Sequence, residues 1–133
     1  MPTPPDELMQ HARAAQAGAY APYSGFHVGA AVETDDGTIA TGANVENASY
    51  GISICAERVA ICSAVAAGAR RITALAVIAG GVGGTPCGAC RQFMAEFCGA
   101  QTPVSFYEEG SLVTVRLADL LPHPFAMDPI RPA

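Results

Sequence analysis

Residues 73–97 read TALAVIAGGVGGTPCGACRQFMAEF: a seven-residue apolar run, a glycine-rich break, and a segment opened by two cysteines three apart. An apolar run as short as Thr73–Ala79 is the kind covered on both faces at the centre of a sheet. Gly80–Thr85 is a loop, Pro86 suits a helix beginning, and Cys87–Phe97 continues as the helix. Strand, loop and helix in that order make an α/β unit. Open α/β sheets place their sites where such loops leave the strands.

Working outward, Cys55–Ala67 reads as a second helix, ended by Gly68. Its apolar positions wrap widely, which predicts burial on more than one side. Upstream lie two strand-like runs, His27–Thr34 and Thr38–Val45, joined by Asp35-Asp36-Gly37, a hairpin signal. Asp6–Ala19 is an alanine-rich helix with Asp6 and Glu7 at its positive end, followed by the loop YAPYSGF, residues 20–26. Downstream, Val104–Tyr107 and Leu112–Val115 are expected strands and Ala118–Leu121 a short helix. The order predicts a three-layer α/β/α fold with a mixed five-stranded sheet, antiparallel at the hairpin and parallel in its later strands. Residues 1–133 show no repeat and no linker, so one domain is expected.

Half of the 133 residues are hydrophobic and 14% are charged, which fits a chain with a packed core. Net charge is −5, with seven basic residues of which only Arg70 and Arg71 are adjacent. Proteins that grip phosphate backbones do so with Lys and Arg, so no nucleic acid partner is expected. No apolar run approaches a membrane span, and MPTPPDELMQ lacks a basic stretch followed by an apolar one. A cytoplasmic location follows as the expectation, where thiols stay reduced. Five cysteines then point to metal, catalysis or core rather than to a disulfide framework.

Cys87 and Cys90 open a helix and share one face, so they can converge on one metal ion. The helix N-terminus favours thiolates. The pair alone leaves a redox dithiol, half a metal site and two packed thiols equally open. Residues 54–61, ICAERVAI, shift the balance. Cys55 also opens a helix after a loop, and two helix N-termini at neighbouring strand ends would bring Cys55, Cys87 and Cys90 to one zinc. No second CxxC closes the shell, which leaves a position open for water. Three thiolates and one zinc sum to −1, so the site calls for positive charge. Arg58, one turn beyond Cys55, can hydrogen-bond a thiolate sulfur. Glu57, in the first turn, can curl back toward the metal as a proton shuttle.

NVENASYGISICAERVAI at 44–61, followed by PCGACRQFMAEF at 86–97, resembles the zinc-dependent cytidine deaminases in their small form with a three-cysteine site. APYSGFHVGAAV at 21–32 and LLPHPF at 120–125 extend the resemblance over about Tyr20 to Phe125. The resemblance implies hydrolysis of cytidine and 2′-deoxycytidine to uridine and 2′-deoxyuridine, with release of ammonia, as in pyrimidine salvage. It implies one zinc per chain on Cys55, Cys87 and Cys90, hydroxide attack at C4 and Glu57 as the shuttle. It also implies that Asn44 and Glu46 bind ribose, that Phe26 stacks on the pyrimidine, and that the backbone at Ala56 meets the base edge. Tyr50 and Phe125 match positions that complete a neighbouring subunit's pocket, which implies a homotetramer. The tail departs from the family pattern at Ala126, where Gly is usual.

Three other functions compete. One is deamination of another aminopyrimidine such as blasticidin S, against which Asn44, Glu46 and Phe125 argue. A second is a non-catalytic zinc-binding domain, in which Glu57 has no use. The third is a redox protein, which would carry no metal and a reversible Cys87–Cys90 disulfide. Cys62 and Cys98 lie outside the metal cluster in this reading, Cys62 as a buried core thiol. GGVGG, residues 80–84, lacks the Gly-Lys-Ser/Thr of a phosphate loop.

Overall fold

The computed structural model describes residues 2–81 and 83–129. Among them, five strands form one sheet: β1 (Val28–Thr34), β2 (Ile39–Ala43), β3 (Ile72–Ala79), β4 (Pro103–Glu108) and β5 (Ser111–Arg116), in the order β2-β1-β3-β4-β5. Four α-helices accompany them: α1 (Pro5–Ala15), α2 (Ala56–Ala66), α3 (Gly88–Phe97) and α4 (Leu117–Leu120).

β3 occupies the centre, as its unbroken apolar run requires. Leu75 and Val77 point to the face covered by α2 and α3, where Ile61, Cys90 and Met94 are buried. Ala74, Ala76 and Ile78 point to the other face and meet Leu8, Met9 and Ala12 of α1. The sheet is therefore the middle of three layers. Each fully buried Leu, Ile or Met contributes roughly 1.5–3 kcal/mol. The many alanines at these contacts let helix backbones lie close to the strands. Gly42 on β2 is the extreme case: a Cβ there would stand 2.4 Å from Ala60 N and 2.8 Å from Ala56 O.

The parallel expectation for the later strands holds only between β3 and β4. β5 runs antiparallel to β4, and β1 is antiparallel to both β2 and β3. The cause for β5 is a two-residue hairpin: Glu109 and Gly110 have φ of 51° and 81°, the left-handed pair that turns adjacent strands tightly. Helix α2 is buried on one side rather than several. Ala56, Ala60 and Ala64, four apart, run along that side beside Glu57 and Ile61. Cys62, expected in the core, is exposed, because at 3.6 residues per turn it falls opposite that stripe.

The register sets up the site. Val28 pairs with Ala79 and Gly29 with Ala43, so the start of β1 lies beside the carboxyl ends of β3 and β2. The N-termini of α2 and α3 open at the same edge.

Candidate active site

Cys55 and Cys87 are the N-cap residues of α2 and α3, both with extended backbone, ψ 152° and 168°. Neither helix has a side-chain hydrogen bond at its cap, so both cap sulfurs are free to face a ligand. Cys90, one turn into α3, is fully buried. The three Sγ atoms lie within 4.8 Å of one another. Three sulfurs at Zn–S bonds of about 2.3 Å stand roughly 3.8 Å apart in a tetrahedral shell, so this trio needs only a small closure. Two helix N-termini add partial positive charge around it.

These groups shift one another's proton affinities. A hydrogen bond from Cys90, and next the Arg58 guanidinium, lower the Cys55 thiol to about 5. Cys90 is pushed upward, first by that same bond to Cys55 and then by burial. Arg58 Nη2 stands 3.4 Å from Cys55 Sγ, and the contact holds the guanidinium in its charged form. Its Nε is buried with no protein partner. Glu57 is 5% exposed, and burial raises its pKa above the ordinary carboxylate range, with the Cys55 thiolate adding to the effect. A carboxyl so placed exchanges protons nearer neutrality than a free glutamate does.

Above the sulfurs opens a cleft of about 310 Å³, lined by Phe26, Asn44, Glu46, Ala56, Glu57 and Cys87 among others. That volume lies at the small end of ligand pockets. Asn44 fixes its own wall: Oδ1 accepts the Val28 N–H at 2.9 Å and Nδ2 donates to the Phe26 carbonyl at 2.9 Å. Phe26 is half exposed, its ring lying over Gly80, where an added Cβ would meet Cε1 at 3.2 Å. The Glu46 carboxylate accepts N–H groups of Tyr23 and Ser24, both at 3.1 Å, and the Ser24 hydroxyl. The hydroxyl, first among these donors, holds Glu46 below the usual carboxylate range. Val45 ties the loops together, exchanging backbone hydrogen bonds with Ile54 at 2.9 and 2.8 Å.

Tyr50 and Phe125 stand outside this cleft, each 71% exposed. Cys98 is separate from the sulfur cluster. Ser24 and Gln92 have no signal in sequence spacing, since they bind partners 22 and 33 residues away.

Residues 2–106 match the cytidine and deoxycytidylate deaminase zinc-binding region. The chain belongs to this deaminase family. The match takes in Cys55, Glu57, Cys87 and Cys90 and leaves α4 and Phe125 outside. A cytidine deaminase of Halalkalibacterium halodurans is 46% identical over 123 residues, 91% of this chain and 93% of the relative. The crystal structure of cytidine deaminase from Burkholderia pseudomallei superposes with a TM-score of 0.86 at 45% identity, covering 92% of this chain and all of that one. That from Mycobacterium tuberculosis gives 0.81 at 43%, covering 92% and 97%. The deaminase family is a zinc-binding one, and the three sulfurs here fit one zinc per chain. Among the described residues no helix is long and apolar enough to cross a membrane.

Proposed function

We propose that this deaminase hydrolyses the 4-amino group of cytidine and 2′-deoxycytidine, consuming water and releasing ammonia with uridine or 2′-deoxyuridine. The observation that carries this reading is the shared cleft. Its floor holds Cys55, Cys87 and a buried glutamate, with Cys90 beneath them completing a trio of metal-type sulfurs, and its walls hold an aromatic ring and a carboxylate suited to a nucleoside.

Cys55, Cys87 and Cys90 would hold zinc, which when bound would supply a Lewis acid that lowers the pKa of water. Glu57 takes a proton from the attacking water and passes it to N3 of the pyrimidine, which makes C4 electrophilic. The remaining hydroxyl bonds to C4, and Glu57 then moves the proton of that new hydroxyl to the amino nitrogen, so that the C4–N bond breaks, the C4 carbonyl forms and ammonia departs. Burial suits it to both tasks, because a carboxyl with a raised pKa is both an adequate base and an adequate acid. Arg58 offsets the negative charge of the sulfurs through its hydrogen bond to Cys55. Phe26 stacks on the base, the backbone at Ala56 meets the base edge, and Asn44 and Glu46 form the ribose end.

The chain acts as a homotetramer in which Tyr50 and Phe125 complete a neighbour's cleft. Their exposure supports this, as do the exposed Val45, Ile52 and Ile54 in the segment that carries Tyr50. The test is incubation of zinc-loaded protein with cytidine, 2′-deoxycytidine, cytosine, cytidine monophosphate, adenosine and blasticidin S, following ammonia. Release from the two nucleosides alone is the expected result. Turnover of blasticidin S in their place would overturn the substrate assignment, and no turnover with zinc bound would favour a non-catalytic domain.

A further inference from the structure

The hydroxyl of Ser24 lies between the two ends of the nucleoside site. It donates to Glu46 Oε2 and accepts the Phe26 N–H at 3.0 Å. Gly25, at φ 69°, makes the turn that brings Phe26 back onto this hydroxyl. The Phe26 backbone is thereby held at both of its polar groups, since its carbonyl accepts from Asn44 Nδ2. The carboxylate is held as firmly. Two backbone N–H groups fill Oε1, and Ser24 takes one of roughly two acceptor positions on Oε2. One acceptor position remains for a ligand hydroxyl.

We propose that Ser24 is a positioning residue for deamination, whose hydroxyl couples the ribose-binding carboxylate of Glu46 to the base-stacking ring of Phe26. This rests on the roles given to Glu46 and Phe26 above. Ser24 touches neither the reacting atoms nor the metal cluster. It acts by aiming Glu46 at one sugar hydroxyl and by fixing where the ring lies. Without it, the carboxylate turns to water, the Phe26 N–H loses its acceptor, and substrate binding suffers before chemistry does.

The test is steady-state kinetics of the zinc-loaded wild type, Ser24→Ala, Ser24→Thr and Glu46→Gln with cytidine and with 2′,3′-dideoxycytidine, which offers Glu46 no secondary hydroxyl. For Ser24→Ala the expected result is a KM for cytidine raised about tenfold, the scale of one hydrogen bond to a charged group, with kcat nearly unchanged. With the dideoxy substrate the rise shrinks to about threefold or less, because only the Phe26 contact is left to lose. Ser24 is exposed, so Ser24→Thr has room for its methyl and restores the wild-type KM. An equal penalty on both substrates, a loss confined to kcat, or no rescue by threonine would overturn the proposal. Glu46→Gln separates the two levels of the argument. If it discriminates between the substrates and Ser24→Ala does not, only the Ser24 role fails. If Glu46→Gln treats both substrates alike, or the wild type releases no ammonia, the underlying reading of the site fails and the Ser24 role with it.

Discussion

Gln92 holds Phe125 by both backbone groups: its Nε2 donates to the Phe125 carbonyl at 2.9 Å and its Oε1 accepts the Phe125 N–H at 3.0 Å. The side-chain amide stands in for one bridge of a sheet and fastens the tail to α3, the helix that carries Cys90. Arg91 adds a second tie, from Nε to the Pro86 carbonyl at 2.8 Å and from Nη1 to the Leu120 carbonyl at 2.9 Å. The segment before Cys87 and the end of α4 are thus fixed to one another.

If Phe125 completes a neighbour's cleft, Gln92 determines where it stands. Gln92→Ala is expected to keep zinc and to lower kcat/KM for cytidine about tenfold, two neutral hydrogen bonds being worth roughly 1–3 kcal/mol together. Phe125→Ala made on top of it should cost little more, since both changes remove the same contact. Independent, multiplying losses in the double variant would uncouple the two residues.

Glu57→Gln preserves shape and removes proton transfer. Turnover of cytidine should fall by about 10²–10⁴, with the zinc content of the purified protein unchanged. Metal analysis beside single-turnover kinetics checks both halves. Near-normal rates would take Glu57 out of its proposed role.

What could be read from the sequence follows from how local each signal is. β3 was legible because a both-sides-buried strand is apolar along its whole length. The β1–β2 hairpin was legible because Asp36-Gly37 is a strong turn signal. The β4–β5 hairpin was not, because its turn places Glu109 at positive φ, a conformation glutamate seldom adopts. Cys55, Cys87 and Cys90 could be grouped from two local patterns, each a cysteine at a helix start. The exposure of Cys62 could not, since α2 packs on a narrow alanine stripe that a wide apolar pattern conceals. Ser24 and Gln92 escaped for a different reason. Their partners are a carboxylate and a backbone segment brought together only by the fold.

Cys87→Ala should lose stoichiometric zinc and lower Tm by on the order of 10 °C, because metal binding to such a shell contributes directly to folding. Chelation of the wild type should lower Tm comparably. Arg58→Ala is expected to behave differently, keeping zinc while kcat falls several-fold, since it leaves all three sulfurs in place. Calorimetry and metal content measured on the same samples distinguish the two; loss of zinc from Arg58→Ala would make that residue part of the metal shell's stability.

Cys98, at the end of α3, is pushed from 9.0 up to about 12 by burial. A folded-state pKa above the unfolded one means that the folded chain keeps the proton longer. The associated stability is complete below pH 9 and is lost as pH rises through about 12. Wild type should therefore lose Tm faster than Cys98→Ala between pH 9 and 10.5, and the gap should be constant from pH 6 to 8. Parallel profiles throughout would mean that the thiol is not held in its neutral form.

The close approach of β2 to α2 yields the most direct structural prediction. Gly42→Ala places a methyl 2.4 Å from Ala60 N and 2.8 Å from Ala56 O, both backbone atoms that cannot rotate away. Helix α2 must shift outward, at a cost of about 1–3 kcal/mol or more. Since α2 carries Cys55 at its cap and Glu57 in its first turn, activity should fall together with Tm. Gly18→Ala, where an added Cβ meets nothing within 4 Å, is the control and should leave both nearly unchanged. If Gly42→Ala melts and turns over like the wild type, α2 has freedom to move that its alanine-lined contact does not indicate.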